Sequence, residues 1–95
     1  MSDDLTPLRE RIDALDREIV RLLNERARVA IEIGQVKALV ARPVHDPERE
    51  TDVLRRVREA NVSAGGPLPD DEVVELYARI VALTRRLEGA ETSAR

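Results

Sequence analysis

Two basic residues, Arg26 and Lys37, lie at positions where the sequence pattern predicts a hydrophobic core. The stretch from Thr6 to Val40 carries apolar residues at intervals of three and four, which is the pattern of one continuous amphipathic helix. At about 100° per residue, both bases fall near the middle of the apolar sector, and Arg9 falls on its flank. A positive charge in a core costs free energy unless a negative group lies against it. These bases therefore need a negative counterpart.

Further polar residues are predicted to face the same interior from two later helices. Together with the bases of the long helix, the set comprises Arg9, Arg26, Lys37, Arg49, Glu50, Thr84 and Glu88. Several bases with a hydroxyl and two carboxyls would suit a small polyanion that carries hydroxyl or ether oxygens. The sequence shows no Ser–His–Asp or Cys–His arrangement, metal-ligand spacing, glycine-rich phosphate loop or cofactor motif. We therefore expect a reaction that needs only positioning and charge stabilisation, without metal or cofactor.

A structural interpretation is open for the same residues. A flanking arginine such as Arg9 is more often at the surface than in a site. The Thr84 hydroxyl could bond a carbonyl of its own helix, and the lone His45 is best explained as a loop residue. Arg26 and Lys37 could pair with the carboxyls of the later helices in a buried network, although such networks often add little net stability.

The pattern predicts three helices and no strand, so the fold class is all-α. The long N-terminal helix is predicted over 6–41, with Thr6 as its N-cap and Pro43 beyond its end. A short helix over 46–61 begins with Asp46 as N-cap and a proline in its first turn. A glycine- and proline-rich loop leads to a third helix over 70–88, which Gly89 is expected to stop, followed by a frayed tail over 89–95.

Composition narrows the class of protein. The 95 residues form one domain, and 42% hydrophobic content argues against disorder. The net charge of −3 argues against nucleic-acid binding, and the chain has no cysteine for a disulfide or a thiolate metal site. No segment resembles a membrane span or a signal peptide, so a cytoplasmic, soluble protein is expected.

The length of the first helix predicts a homodimer. A helix of roughly 35 residues is about 52 Å long, whereas a compact chain of this size has a radius of gyration of about 12 Å. The helix must overhang the two shorter ones, and its apolar stripe would face water unless a second copy covered it. We expect a dimer with the long helices packed against each other. A monomeric hairpin bent near Gly34 is the alternative.

The segments LRERIDALDREIVRLLNERARVAIEIGQVK and RPVHDPERE resemble the all-helical class of chorismate mutases. The resemblance extends from about Leu8 to Glu88, and it combines a leading LR, an ER within the long helix, a GxxK near its end and the DPxRE of the second helix. Members of this class are intertwined homodimers of three-helix chains with two active sites, each built from both chains. The resemblance therefore implies an isomerase that converts chorismate to prephenate in aromatic amino acid biosynthesis.

The resemblance also implies roles for eight residues. The catalytic ones would be Arg26, Lys37 and Glu88, and the substrate-binding ones Arg9, Asp46, Arg49, Glu50 and Thr84. Arg9 would reach into the partner's site and, with Arg26, hold the two carboxylates. Lys37 would contact a carboxylate and the ether oxygen of the breaking bond, and Glu50 would accept the ring hydroxyl. Thr84, often serine in the family, would assist a carboxylate.

Glu88 departs from a well-known bacterial branch, which has glutamine at the position that donates a hydrogen bond to the ether oxygen. Glutamine donates at any pH, whereas a carboxyl donates only when it is protonated. An ionised Glu88 would repel the charge that develops on that oxygen. We therefore predict that activity falls as pH rises through the titration of Glu88.

Three rival functions stay open. One is a lyase of the same fold that eliminates pyruvate from isochorismate, although the resemblance is weaker at DPERE. Another is a regulatory module of low activity, because the GPLP loop and Glu88 resemble mutase domains that are fused to, or associate with, DAHP synthase. The third is a simple helical dimerisation domain, which leaves Arg26 and Lys37 unexplained.

Overall fold

The computed structural model describes residues 4–93, and the side chains of residues 4–90. Three helices follow one another along the chain: α1 (Leu5–Leu39), α2 (Pro47–Ala64) and α3 (Asp70–Ser93). Within the described range no residue is in a strand. The predicted all-α class and its three-helix order are therefore confirmed.

The ends of α1 differ from the prediction by one or two residues. The helix begins at Leu5, and Asp4 occupies the cap position without a side-chain cap bond, so the predicted Thr6 cap is wrong. The helix ends at Leu39, because Ala41 adopts a left-handed φ of 55°. The Arg42 amide then donates to the Lys37 carbonyl at 2.9 Å, which closes the last turn.

The start of α2 matches the prediction, and its end lies further along the chain. The Asp46 carboxylate accepts a hydrogen bond from the Arg49 amide at 3.1 Å, as expected of an N-cap. The helix passes residue 61 and ends at Ala64, where Gly65 takes up a left-handed φ of 63°. Glycine adopts this conformation without steric cost, so the GG of the loop is the true stop signal.

The third helix does not stop at Gly89. It continues to Ser93, so the predicted stop and the frayed tail are wrong over residues 89–93, while residues 94–95 lie outside the described part. Gly89 keeps a negative φ and therefore cannot form the left-handed cap that ends a helix. A glycine inside a helix costs only about 1 kcal/mol relative to alanine, which the flanking turns can offset.

Helix α3 packs against both of the other helices. Its contact with α1 is closest at Gly34, where an added Cβ would lie 2.7 Å from the Glu88 carbonyl oxygen. Among the described side chains, the buried residues all belong to α1 and α3: Ala30, Gly34, Val81 and Thr84. Helix α1 continues without a break through Gly34, so the bent hairpin is not observed. The glycine is a packing requirement and not a weak point of the helix.

The described chain is elongated, with extents of 62 × 27 × 15 Å and a radius of gyration of 17.2 Å. A compact chain of the same length would have a radius of about 12 Å. The difference arises from the N-terminal half of α1, where large apolar side chains are exposed: Leu8, Ile12, Leu15, Ile19 and Leu22. Alone, this chain leaves the predicted apolar stripe in water.

Candidate active site

A pocket of about 360 Å³ lies between the C-terminal half of α1, the start of α2 and the C-terminal half of α3. Its volume is within the range of small-molecule sites. Seven of the eight predicted site residues line it: Arg26, Lys37, Asp46, Arg49, Glu50, Thr84 and Glu88. Val29, Ala30, Ile33, Val53 and Val81 form its apolar wall. The fold thus brings three separate segments of the sequence to one cavity.

Arg26 is held by two uncharged groups of α3. Its Nη1 donates to the Thr84 hydroxyl at 2.9 Å, and its guanidinium lies over the Tyr77 ring, 5.4 Å from the centroid. The Thr84 hydroxyl is also within 3.1 Å of the carbonyl oxygens of Ile80 and Val81, to either of which it can donate. These contacts orient the guanidinium without neutralising it, so its charge is available to an anionic ligand.

Lys37 and Glu88 form an ion pair that is largely shielded from water. The Lys37 Nζ lies 3.0 Å from Glu88 Oε1, and only 16% and 14% of the two side chains are exposed. The same Nζ donates to the Val44 carbonyl at 2.9 Å. This pairing is the one that the structural interpretation anticipated for Lys37, and it also places both groups on the pocket wall.

Glu50 faces a base that sequence reasoning missed. Its two carboxylate oxygens lie 2.8 and 3.0 Å from Nη1 of Arg85 on α3. His45 Nε2 lies 4.0 Å from the same carboxylate. Arg85 could have been recognised from spacing, because Val81, Thr84, Arg85 and Glu88 follow the intervals of one helix face. Arg42 also lines the pocket. It lies just before Pro43 and beyond the predicted end of the long helix, so no helical spacing pointed to it.

Asp46 and Arg49 lie at the mouth of the pocket. The Asp46 carboxylate caps α2, and the Arg49 guanidinium is 61% exposed and 3.3 Å from Asp52. Hydrogen bonds from Arg56 and then Arg55 lower the pKa of Asp52 from its ordinary 3.8 to about 2. Arg49 thus lies at the rim of the cavity, held by Asp52 and largely in contact with water.

Arg9 is not part of this pocket. It is exposed on α1, 17 positions before Arg26, which corresponds to about 26 Å along the helix axis. No rotamer of a side chain can bridge that distance. Within one chain, the structure does not bring Arg9 to the other predicted site residues.

The charges around the pocket favour an anion. Among the described residues that line it, five are basic (Arg26, Lys37, Arg42, Arg49 and Arg85) and three are acidic (Asp46, Glu50 and Glu88). The ionised side chains therefore leave a surplus of two positive charges. No group of three or more potential metal-binding side chains occurs in the part of the chain that the structure describes. None of its described helices is long and apolar enough to cross a membrane.

Fold and site together define a helical domain with a pocket whose ionised lining is basic on balance. The family model for chorismate mutase type II matches residues 8–89. The chain belongs to this family.

Curated relatives carry the same domain within longer proteins. The bifunctional chorismate mutase/prephenate dehydratase of Aquifex aeolicus is 39% identical over 87 residues, which are 90% of this chain and 24% of the relative. The protein of the same name from Neisseria gonorrhoeae is 47% identical over 78 residues, covering 82% of this chain and 20% of the relative. The chain thus spans about a quarter of the length of the curated relatives it matches. Neither name mentions DAHP synthase, so the likeness to that branch stays a prediction.

A solved structure agrees with the fold over most of the chain. Form II of the chorismate mutase from Thermus thermophilus superposes with a TM-score of 0.85 at 34% identity. The match covers 92% of this chain and 96% of that one. The three-helix arrangement and the long α1 are therefore features that this chain shares with a chorismate mutase.

Proposed function

We propose that this protein is a chorismate mutase, which converts chorismate to prephenate by a unimolecular pericyclic rearrangement. The observation that carries the proposal is the surplus of two positive charges around the pocket, because chorismate is a dianion. Membership of the chorismate mutase type II family, over residues 8–89, supports the same substrate. The reaction requires no covalent intermediate and no proton transfer, which accords with the side chains that line the cavity.

Catalysis would come from binding the folded conformer of the substrate and from stabilising charge as its C–O bond breaks. Arg26 would bind one carboxylate, with its guanidinium already oriented by Thr84 and Tyr77. Lys37 would bind a carboxylate and the ether oxygen. Because Arg26 is oriented before the substrate arrives, it need not reorganise during the reaction.

The start of α2 would bind the other polar groups of the substrate. Glu50 would accept the ring hydroxyl, and Arg49 would move from Asp52 towards the anion. Asp46 would act from the cap of the same helix, where its carboxylate holds the first turn in place. The helix N-terminus adds a partial positive charge at this end of the pocket.

Glu88 would donate a hydrogen bond to the ether oxygen when its carboxyl is protonated. In the structure the Glu88 carboxylate is ion-paired with Lys37. The carboxylate must take up a proton, and so lose this charge interaction, before Glu88 can donate a hydrogen bond. We expect kcat/KM to fall with rising pH, because an ionised carboxylate at this position cannot donate. The Glu88→Gln variant should give a flatter pH–rate profile, because an amide donates at any pH. An unchanged profile in this variant would exclude Glu88 from the role.

The active assembly would be a homodimer with two shared sites. The exposed stripe of α1, in which Leu15 is 57% and Ile19 is 53% exposed, needs an apolar cover, and a second copy of α1 offers a matching surface. Packing of the two long helices would also carry Arg9 towards the pocket of the partner. This arrangement accounts for the distance between Arg9 and the other site residues of its own chain.

Purified protein should be incubated with chorismate and, separately, with isochorismate. Formation of prephenate from chorismate is the expected result. Release of pyruvate from isochorismate, with chorismate unchanged, would instead support the lyase. The absence of turnover with either compound would support the regulatory module, and rescue on adding a DAHP synthase would then identify that enzyme as a partner. A cytoplasmic location is part of the same proposal, because chorismate is a soluble metabolite.

A further inference from the structure

We propose that Arg85 is a positioning residue that fixes the Glu50 carboxylate for the substrate hydroxyl. The inference rests on the proposed function, because it assigns Arg85 to the same pocket. Arg85 and Glu50 are 35 positions apart and lie on different helices, so their contact crosses the pocket wall from α3 to α2. Both of the side chains line the cavity.

The geometry of the contact restricts Glu50. A single nitrogen, Nη1 of Arg85, lies 2.8 Å from one carboxylate oxygen and 3.0 Å from the other, so it sits between the two oxygens and limits the rotation of the carboxylate. Only 25% of the Glu50 side chain is exposed. A carboxylate oxygen has more than one acceptor position, so Glu50 can bond Arg85 and still accept a hydroxyl. A fixed acceptor discriminates a hydroxyl better than a mobile one does.

The charge of Arg85 has a second effect on the same group. Glu50 is an anion in a pocket that is proposed to bind a dianion, and an unpaired carboxylate there would repel the substrate. His45 Nε2, at 4.0 Å, is the other basic group that the described structure places beside this carboxylate, and it lies farther from the oxygens than Arg85 does. Arg85 stays charged at all relevant pH values and therefore offsets the repulsion throughout.

The role predicts a specific kinetic signature. A hydroxyl bond that is present in both the bound substrate and the transition state contributes uniform binding, so its loss raises KM and leaves kcat nearly unchanged. For Arg85→Gln we expect KM to rise about ten-fold, the scale of one charge-assisted hydrogen bond. Arg85→Lys should recover part of the loss, because it restores the charge but on a shorter side chain that places its donor differently.

The decisive experiment is a double-mutant cycle with chorismate as the substrate. Prephenate formation is measured for the parent, Arg85→Gln, Glu50→Gln and the double variant, with circular dichroism to check that each is folded. If Arg85 acts through Glu50, Arg85→Gln should change KM by less than about two-fold once Glu50 is replaced. The matched control is Arg86→Gln, because Arg86 is exposed on the same helix and does not line the pocket.

An undiminished effect of Arg85→Gln in the Glu50→Gln background would overturn the proposal and make Arg85 a direct ligand of the substrate. A parent-like KM in Arg85→Gln would overturn it as well. Both outcomes require an active parent chain. An inactive parent would instead contradict the proposed function, so the two failures are distinguishable.

Discussion

The two halves of α1 share one apolar periodicity but have different surroundings. Residues 5–25 carry an uninterrupted stripe that stays exposed, with Leu15 at 57%. Residues 26–39 carry a stripe interrupted by Arg26, Gly34 and Lys37, and this half packs against α3. The N-terminal half, which has no packing partner within the described chain, thus has an uninterrupted apolar stripe. The C-terminal half, which forms the pocket, has a stripe interrupted by two charges and a glycine.

The comparison shows how one helix can serve two purposes. In the C-terminal half, the same chain buries part of the stripe: Ala30 is 5% exposed, although Val29 and Ile33 stay 50% and 44% exposed. In the N-terminal half, the described part of the chain buries none of the stripe. Variants in one half should affect the pocket, and variants in the other should affect the contribution to a partner chain.

The largest effect is expected from removing charge in the C-terminal half. Arg26→Ala and Lys37→Ala should each lower kcat/KM by at least about 100-fold, because each removes a donor aimed at developing or bound charge. Sedimentation should still report the assembly of the parent protein. Arg28→Ala is the matched control, since Arg28 is exposed on the same helix. Near-normal activity in either pocket variant would refute the anion site.

Complementation between variants tests whether the N-terminal half serves a partner. Arg9→Ala and Arg26→Ala should each be nearly inactive alone. After mixing and subunit exchange, half of the dimers would be mixed, and each mixed dimer would hold one intact site, so about a quarter of the parent activity should return. Failure of activity to return, with exchange verified by mass spectrometry, would mean that Arg9 does not act across subunits.

Two glycines on packed helices provide a matched pair. Gly34→Ala should lower the free energy of unfolding by about 1–3 kcal/mol, although alanine favours helix by about 1 kcal/mol, because the new methyl would meet the Glu88 backbone. The shift of α3 should also disturb the Lys37–Glu88 pair and lower activity. Gly89→Ala meets no atom within 4 Å and should be neutral or slightly stabilising. Urea denaturation measures both, and equal effects would contradict the role of Gly34.

The smallest effect lies on α2, away from both halves of α1. Asp52 has a folded pKa of about 2, below its ordinary 3.8, so it stabilises the fold above about pH 4 and loses this effect as pH falls towards 2. Asp52→Asn should therefore lower the melting temperature slightly at pH 7. The difference from the parent should vanish near pH 2. A constant difference across this range would show that the carboxylate charge is not responsible.

Periodicity predicted the features that repeat along a helix. It identified Arg26 and Lys37 as misplaced charges, and it placed Thr84 and Glu88 on one face, where the structure has them. The partner of a charge depends on tertiary packing, so the contact between Arg85 and Glu50 was not predictable from either helix alone. The need for glycine at position 34 was not predictable either, because it arises from the close approach of the Glu88 backbone on α3.

Helix ends were predicted less well because competing signals are close in energy. Gly65 and Gly89 are both glycines near a helix end, yet only Gly65 adopts the left-handed conformation in the described chain. Ala41 adopts it without the advantage of glycine, two residues before Pro43. The role of Arg9 followed only from the family resemblance, because periodicity within one chain does not relate Arg9 to the pocket.

The two bonds of Lys37 restrict a rotation as well as a position. An ammonium group carries three N–H bonds in a tetrahedral arrangement and normally turns freely about its Cε–Nζ bond. In this protein one N–H is directed at the Val44 carbonyl and another at Glu88 Oε1. With two directions fixed, the third is fixed as well. The lysine therefore points its last hydrogen along one line before any substrate arrives, and little torsional entropy is left for binding to remove.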